Sequence, residues 1–520
     1  MNIHFEQKKQ QLGIREIWGS KQQSISSVCF DSRNVTNNSS FVCITGEQFD
    51  GHTFIESAIQ NGAVVVAGEN KKVLKEASEV YRDRTFLLVE DARVFMAQLS
   101  ILFNERIHEQ LITVGITGTN GKTTVAAYVR SLMNLCDVKS GSIGTTGMIS
   151  STGNLDIKQS TPTTPEAPDL HHIFKQFVEN GDQLAAMEVT SVGIEQKRTA
   201  GIHFDVAIHT NLSPEHLEFH HTFENYKQAK LKLFKQAKKA VVNIDDEGMG
   251  KEIVELFTGP LLTYSMNEES DADVIATDVK QVSNGTSFTL SLHGKRYSVI
   301  TPFYGSYNIA NLLSAICTGM HIGIPLEKML QVLPEMTGPE GRFEIIHKQK
   351  RKIILDYAHT PVALQNLVTE VKKLPYSRLI VLVMGIGIRD KEKMPKMAET
   401  IENQADEIVV SVDHPGYNDP SEIVGHVMKG FKNPDAPNIH SELTRHDAVI
   451  KALSLSEEND IVLLTSGCIN GAQIVKGEKI PHSDKDIIAD FFRSKKVAKS
   501  GRMFASSKIR WAAPKKRNIL

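Results

Sequence analysis

What this 520-residue chain lacks sets the first bounds. It has five cysteines, Cys29, Cys43, Cys136, Cys317 and Cys468, widely spaced and odd in number. None forms a metal-type pair, so the sequence indicates no disulfide scaffold and no Cys-built zinc site, and fits a reducing compartment. Charge of one sign is also missing. The chain has 59 Lys+Arg against 61 Asp+Glu, a formal net charge of −2, so no global field favours nucleic acid. No apolar run approaches the ~20 residues of a membrane span. The opening segment MNIHFEQKKQ has no signal-peptide apolar core. These absences predict a cytoplasmic protein with neither nucleic acid nor membrane as partner. Internal repeats and long low-complexity linkers are missing too. What is present, 41% hydrophobic and 23% charged residues, is ordinary for a globular chain too long for one domain.

The order of β-like and helical stretches predicts an α/β protein. Short apolar runs at 27–30, 40–44, 63–67 and 85–89 alternate with polar helical segments. From about residue 111 to 338, runs such as 184–189, 206–211 and 240–244 repeat a β-then-α signal, which argues for a parallel sheet with helices on both faces. A β-rich insert is expected at about 273–302. A third α/β unit follows, with runs at 352–356, 378–384, 407–412 and 460–465. The last twenty residues are basic and read as a solvated tail or a docking arm.

The richest segment runs from Val114 to Thr124. An apolar strand-like stretch enters a Gly-rich turn, Gly118-Thr119-Asn120-Gly121-Lys122-Thr123-Thr124, and a helical segment follows. Phosphate binding needs that order: glycines let backbone N–H groups converge on oxygens, and the helix N-terminus adds its dipole. Lys122 would reach the β/γ-phosphates, and Thr123 would hold Mg2+. The spacing is short, because Ile116 stands where the first glycine of the usual pattern belongs.

Other strand ends carry chemistry-bearing residues. Glu188 ends the run LAAMEV and reads as a Mg2+ ligand or a helix N-terminal acid. After Thr210-Asn211, the stretch Glu215 to His221 holds three His and two Glu, which suits a second Mg2+ or zinc. Lys230, in an amphipathic stretch, reads alone as a surface lysine. Asp356 and His359 could touch a nucleotide or cap a helix. The loop 385–393 suits an anionic substrate or a solvated turn, and Asp413-His414-Pro415-Gly416 carries the same ambiguity.

Taken in order, these pieces resemble the Mur ligase family, in particular the branch that adds an amino acid to UDP-N-acetylmuramoyl-dipeptide. The resemblance spans about residues 25–495. It rests on Asp31-Ser32-Arg33, Asp50-Gly51-His52, GTNGKTT, Ile143-Gly144-Thr145, TPTTPE, MEVTS, TNLSPEHLEFH, YKQAK, Tyr307-Asn308-x-x-Asn311, Gly341-Arg342-Phe343-Glu344, DYAHTP, IRDKEKMP and DHPGYNDP. It implies a UDP-substrate domain (1–106), a central P-loop ATPase-like parallel sheet (107–338), a C-terminal Rossmann-like amino-acid domain (339–500) and a basic tail (501–520), acting as a monomer. It also implies a reaction: ATP phosphorylates a carboxylate, and an amine displaces phosphate from the acyl phosphate. In this scheme Lys122 steadies the transferring phosphoryl group. Thr123 and Glu188 hold one Mg2+, and His216 holds the second with Lys230 as a carbamate. Residues Gly118 to Thr124, Asn308, Asn311, Arg342, Asp356 and His359 bind ATP. Ser32, Arg33, Thr163, Thr164, Ser191 and Arg198 hold the UDP-muramoyl dipeptide. Arg389, Asp413, His414 and Gly467 face the incoming amino acid.

Departures from the family pattern cluster on the amine side. Where the diaminopimelate-adding member has Asp-Asn-Pro-Arg, this chain has Asp413-His414-Pro415-Gly416, so the guanidinium fork is missing. The family's Gly-Lys-Gly-His-Glu loop is Gly467-Cys468-Ile469-Asn470-Gly471 here. Val192 replaces a His and Pro214 an Arg. The expectation is intact ATP chemistry with altered acceptor specificity, on UDP-N-acetylmuramoyl-L-Ala-D-Glu. The alternatives are a paralogue acting on another carboxylate in a specialised-metabolite or peptide-tailoring pathway, and a nucleotide-gated binding protein without turnover.

Overall fold

A computed structural model describes residues 1–46, 49–157, 160–215, 217–388, 391–466 and 471–493. The chain divides into two compact units, the first Met1–Pro339 and the second beginning at Glu340.

The first unit holds two large sheets. The N-terminal one has five strands in the order Ile14–Trp18, Thr85–Val89, Ala63–Gly68, Ser39–Val42, Ser27–Cys29. All neighbours are parallel except the first pair. A short antiparallel pair, Asn2–His4 with Gln22–Ser24, flanks strand Ile14–Trp18 in the chain, in stretches where the sequence shows no strand signal. The central sheet has eleven strands. Its middle is parallel: Ser140–Gly144, Leu184–Glu188, Ile112–Thr117, Phe204–His209, Ala237–Asn243 and Leu261–Ser265, in that spatial order. Side chains of a strand alternate between faces, and both faces here are covered. Leu184, Ala186, Val206 and Ile208 join one core with helices Lys122–Leu135 and Ser306–His321. Ala185, Met187 and Ala207 join the other, with helix Ala167–Glu179. Burial on both sides is why these strands read as nearly continuous apolar runs.

The segment expected as a β-rich insert is instead part of the central sheet. Val274–Val282 pairs parallel with Leu261–Ser265, and Gly285–Leu292 and Lys295–Thr301 add to it antiparallel. Gly285 at one turn and His293-Gly294 at the other take positive φ where the two hairpins reverse. Val274, Ala276, Phe288, Leu290 and Val299 then bury into the core of the main sheet.

The second unit is a six-stranded sheet: Glu344–Lys348, Arg351–Leu355, Ile461–Leu464, Leu379–Ile386, Glu407–Asp413, Ile439–Ser441. Only the first pair is antiparallel. A hairpin, Ala472–Val475 with Glu478–Pro481, stands apart from that sheet. The α/β class with an N-terminal, a central and a C-terminal sheet agrees with the sequence reading. Among the described residues, no helix is long and apolar enough to cross a membrane.

Candidate active site

The Gly-rich turn lies where the sequence reading puts it, between strand Ile112–Thr117 and helix Lys122–Leu135. Gly118 (φ +151°) and Gly121 (φ +88°) hold backbone shapes that side chains resist. A Cβ at Gly118 would run into Thr210 Oγ1, and one at Gly121 would stand 2.7 Å from Asn311 Oδ1. Asn311 is thus drawn against the loop. Asn308, on the same helix, spends its amide on Tyr304 O at 2.8 Å. Thr124 is buried.

The loop after strand Phe204–His209 grips this turn from the side. Thr119 N donates to Asn211 O (2.8 Å), and Asn120 N donates to Asn211 Oδ1 (2.9 Å). Thr210 Oγ1 and Asn211 Nδ2 both donate to Asn120 O, at 2.6 and 3.1 Å. Ser213 N donates to Thr119 Oγ1 at 2.9 Å. The glycine turn is therefore pinned in shape by a neighbouring strand end.

Two lysines converge on one carbonyl. Lys122 Nζ donates to Gly118 O (2.8 Å) and Thr119 O (2.9 Å), and Lys230 Nζ donates to Gly118 O at 2.8 Å. The surface-lysine reading of Lys230 fails: the side chain is 1% exposed and stands 4.5 Å from the centre of the Tyr226 ring. Helix Phe223–Leu231 turns it inward because Tyr226, Ala229 and Lys230 share its buried face. Burial, with Lys122 nearby, holds the Lys230 ammonium well below its ordinary pKa.

Glu188 ends strand Leu184–Glu188 beside the turn. Its Oε2 accepts from Thr123 Oγ1 (3.0 Å), and its Oε1 accepts from Thr145 N (2.7 Å). Gly144 makes room, since a Cβ there would collide with Glu188 Oε1. A hydroxyl and a carboxylate are hard oxygen donors, so Thr123 and Glu188 fit Mg2+. Neither an ammonium nor an amine nitrogen suits that ion, whereas a carbamate on Lys230 would.

The expected dipeptide-site residues of this unit are mostly engaged with the chain. Thr164 Oγ1 donates to Glu188 O (3.0 Å), and Thr163 Oγ1 lies 3.3 Å from Thr145 Oγ1. Ser191 Oγ shares a 2.9 Å hydrogen bond with His220 Nε2. Arg198 donates to Glu166 Oε1 (2.9 Å), Thr164 O (3.0 Å) and Gln196 Oε1 (2.5 Å). In the short helical turn Ser32–Asn34, after strand Ser27–Cys29, Ser32 is buried, while Arg33 is exposed and pairs with Asp31 at 2.7 Å.

The second unit carries the remaining expected ATP and amine residues. Buried Asp356 accepts from Phe343 N and Ala358 N, both at 2.8 Å. Burial raises its pKa, against the pull of Arg342. Arg342 lies over the Tyr357 ring at 4.6 Å, and His359 Nδ1 donates to Tyr357 O at 3.1 Å. Asp413 ends its strand 1% exposed and accepts from Gln473 Nε2 at 2.8 Å. His414 takes a positive φ of 42°, and its Nδ1 accepts from Ile474 N at 3.0 Å. Gly416 (φ +62°) pairs through its backbone with the hairpin: its N donates to Ile474 O (3.0 Å), and Lys476 N donates to its O (2.7 Å). A Cβ at Gly416 would stand 2.8 Å from Ile388 Cγ2. His216, Arg389, Gly467 and the tail 501–520 lie outside the described residues.

Several contributors escape the sequence reading. Thr145 was visible within Ile143-Gly144-Thr145, but its role as a donor to Glu188 was not. Arg445, fully buried, forks onto Asp484 at 3.0 and 2.6 Å and stands 3.8 Å from Asp413. Arg445 and His482 hold the Asp484 carboxyl well below the usual range despite burial. No local motif marks this pair, because its partners are 39 residues apart.

Comparison with known proteins adds a second line of evidence. Residues 116–319 match the Mur ligase middle domain, residues 341–468 the Mur ligase glutamate ligase domain, and residues 24–104 the Mur ligase family catalytic domain. The UDP-N-acetylmuramoyl-L-alanyl-D-glutamate–2,6-diaminopimelate ligase of Clostridium perfringens is 34% identical over 492 residues, covering 93% of this chain and 98% of that protein. The ligase of the same name from Bacillus velezensis is 33% identical over 473 residues, 89% of this chain and 93% of that protein. A solved structure with that ligase's name superposes with TM-score 0.66 at 26% identity, over 95% of this chain and 99% of its own. MurF ligase from Thermotoga maritima, solved with ADP, shares the fold at TM-score 0.60 and 19% identity, over 90% and 97% of the two chains.

Proposed function

The chain belongs to the Mur ligase family of ATP- and Mg2+-dependent, carbon–nitrogen-bond-forming ligases, and from that premise we propose that it adds an amino acid to UDP-N-acetylmuramoyl-L-Ala-D-Glu, as a cytoplasmic monomer in peptidoglycan-precursor synthesis. The observation that carries this reading is the pinned glycine turn with Thr123 on Glu188 and two lysines on Gly118 O. The two relatives are both named for the muramoyl dipeptide, which favours that carboxylate over a diverted one.

In this reading a dipeptide carboxylate oxygen attacks the γ-phosphorus of ATP, and ADP leaves. The amine nitrogen of the acceptor then attacks the acyl carbon and loses a proton, and inorganic phosphate departs. Little covalent work falls to the protein, so positioning and charge neutralisation dominate. Lys122 offsets charge on the transferring phosphoryl group. Mg2+, held by Thr123 and Glu188, supplies the same kind of neutralisation when bound. Arg342, Asp356 and His359 serve the nucleotide. Ser32, Arg33, Thr163, Thr164, Ser191 and Arg198 serve the dipeptide. Burial and the nearby Lys122 lower the Lys230 pKa, which favours the free amine that adds to CO2: its nitrogen bonds the carbon, a C=O π pair moves to oxygen, and the nitrogen loses a proton. The resulting carbamate, with His216, would hold a second Mg2+.

The acceptor reading differs from the relatives' printed acceptor. Position 416 has glycine in a left-handed conformation, paired with a hairpin, where the family resemblance calls for an arginine fork. An acceptor without a distal carboxylate, such as lysine or a small amino acid, fits better than diaminopimelate.

The test is phosphate release from ATP with Mg2+, the muramoyl dipeptide and a panel of amino acids, with product mass. Release with one amino acid and a matching mass establishes the reaction and names the acceptor. No release with any of them, from protein that still binds ATP, would move the substrate to another carboxylate. Replacing Lys230 with Ala should lower kcat by about two orders of magnitude, with partial recovery in added short carboxylates. Full activity in that variant would remove the carbamate.

A further inference from the structure

Nothing in the ligase chemistry uses Asp246 or His209, yet they pair close to the phosphate turn, the His209 side chain fully buried and that of Asp246 8% exposed. His209 is the last residue of strand Phe204–His209 and is 0% exposed. Its Nε2 lies 2.8 Å from Asp246 Oδ2. Asp246 also accepts from Leu212 N (2.8 Å) and Met249 N (2.9 Å). Three residues earlier, Asn243 Nδ2 donates to Thr210 O at 2.8 Å. Tyr264, on the next strand, donates its hydroxyl to His209 O at 3.2 Å. The segment Asn243–Asp246 therefore holds residues 209, 210 and 212 of the neighbouring strand end. Those are next to, or the same as, the residues that fix the turn, since Thr210, Asn211 and Ser213 hold Thr119 and Asn120.

We propose that Asp246, seconded by Asn243, is a positioning residue for ATP binding: it sets the phosphate turn through the 209–213 strap without touching it. The proposal rests on the ligase reading above. The chemistry is direct. A carboxylate accepting two backbone N–H groups and an imidazole N–H fixes the direction of the strap. The strap's backbone holds Thr119 and its side chains hold Asn120, and by fixing Asn120 O they set the peptide plane that aims the following Gly121 N–H. Oxyanion binding by a backbone turn is lost when its N–H groups are misaimed, so a change at Asp246 should be read in nucleotide affinity more than in general stability.

Asp205 gives an internal control. It stands at the other end of the strap's strand and makes the same kind of bond, accepting from Thr113 N at 2.8 Å, but far from the turn in register. The experiment is calorimetric titration of full-length protein with MgATP, alongside melting temperature and the KM of each substrate. Asp246→Ala is expected to weaken ATP binding by roughly tenfold or more, with the KM for dipeptide and amino acid within about twofold of wild type. Asn243→Ala should do the same more weakly. Asp205→Ala should lower the melting temperature and leave ATP affinity unchanged. If Asp246→Ala fails to fold, Asn243→Ala and Asp246→Asn carry the test. ATP affinity unchanged in the folded variants, or falling equally in Asp205→Ala, would overturn the positioning role alone. Wild-type protein that does not bind MgATP would overturn the ligase reading and this proposal with it.

Discussion

Gly144 shows how much one hydrogen atom in place of a methyl decides. Its missing side chain is the space that Glu188 Oε1 occupies on its way to Thr145 N. Gly144→Ala should push the carboxylate off Thr123 and Thr145. The expected outcome is kcat lower by about a hundredfold and a higher Mg2+ concentration for half-maximal rate, with the fold retained. A Mg2+ titration of turnover, with circular dichroism, checks it; an unchanged Mg2+ requirement would remove Glu188 from the ion. At this scale the sequence was most legible where chemistry and local shape coincide. Gly118, Gly121, Lys122 and Thr123 could be read directly, because a turn, a charge and a helix start share one short stretch. Lys230 could not, because its meaning comes from burial against Tyr226 and from Gly118, 112 residues away. Arg445 and Asp484 were invisible for the same reason.

Strands and helices were legible where apolar runs are long. Leu184–Glu188 and Ile461–Leu464 lie within a residue or two of their expected places. The elements that sequence reasoning missed are short, such as Gln22–Ser24 and the hairpin Ala472–Val475 with Glu478–Pro481, whose strands take their order from partners. That hairpin bears on the acceptor proposed above. It pairs with Gly416, and the φ of +62° there is costly for any side chain. Gly416→Arg should therefore not restore a diaminopimelate site. The expected result is destabilisation by about 1–3 kcal/mol, a melting temperature lower by several degrees, and no new activity with diaminopimelate. Thermal melts and the acceptor panel decide it: an unchanged melt with gained diaminopimelate activity would sink the account.

At the scale of the whole molecule, acid stability has a named weak point. His171 of helix Ala167–Glu179 is 0% exposed, and the His108 ring stands edge-on at 5.1 Å. Among the described residues, neither ring nitrogen of His171 has a hydrogen-bond partner. Burial, with His108 adding to it, pushes the pKa down to about 3. The unfolded chain binds this proton below about 6.5 and the folded one only near 3, so stability is complete above the unfolded value and falls with pH through that window. At pH 5 the penalty is about 2 kcal/mol. His171→Leu should flatten the loss of stability between pH 6.5 and 4, as followed by urea midpoints; equal slopes for variant and wild type would exclude the residue. The hairpin ladder on the central sheet has a different whole-molecule consequence. Lys295–Thr301 is its outermost strand, and Lys295 and Arg296 stand on that rim. Their charges discourage another chain from zipping onto the open backbone. Without that strand the rim would be Gly285–Leu292, and Phe288 would lose its cross-strand neighbour Val299. A polypeptide halted on the ribosome just short of Lys295 would thus end in an open strand edge without that charged rim.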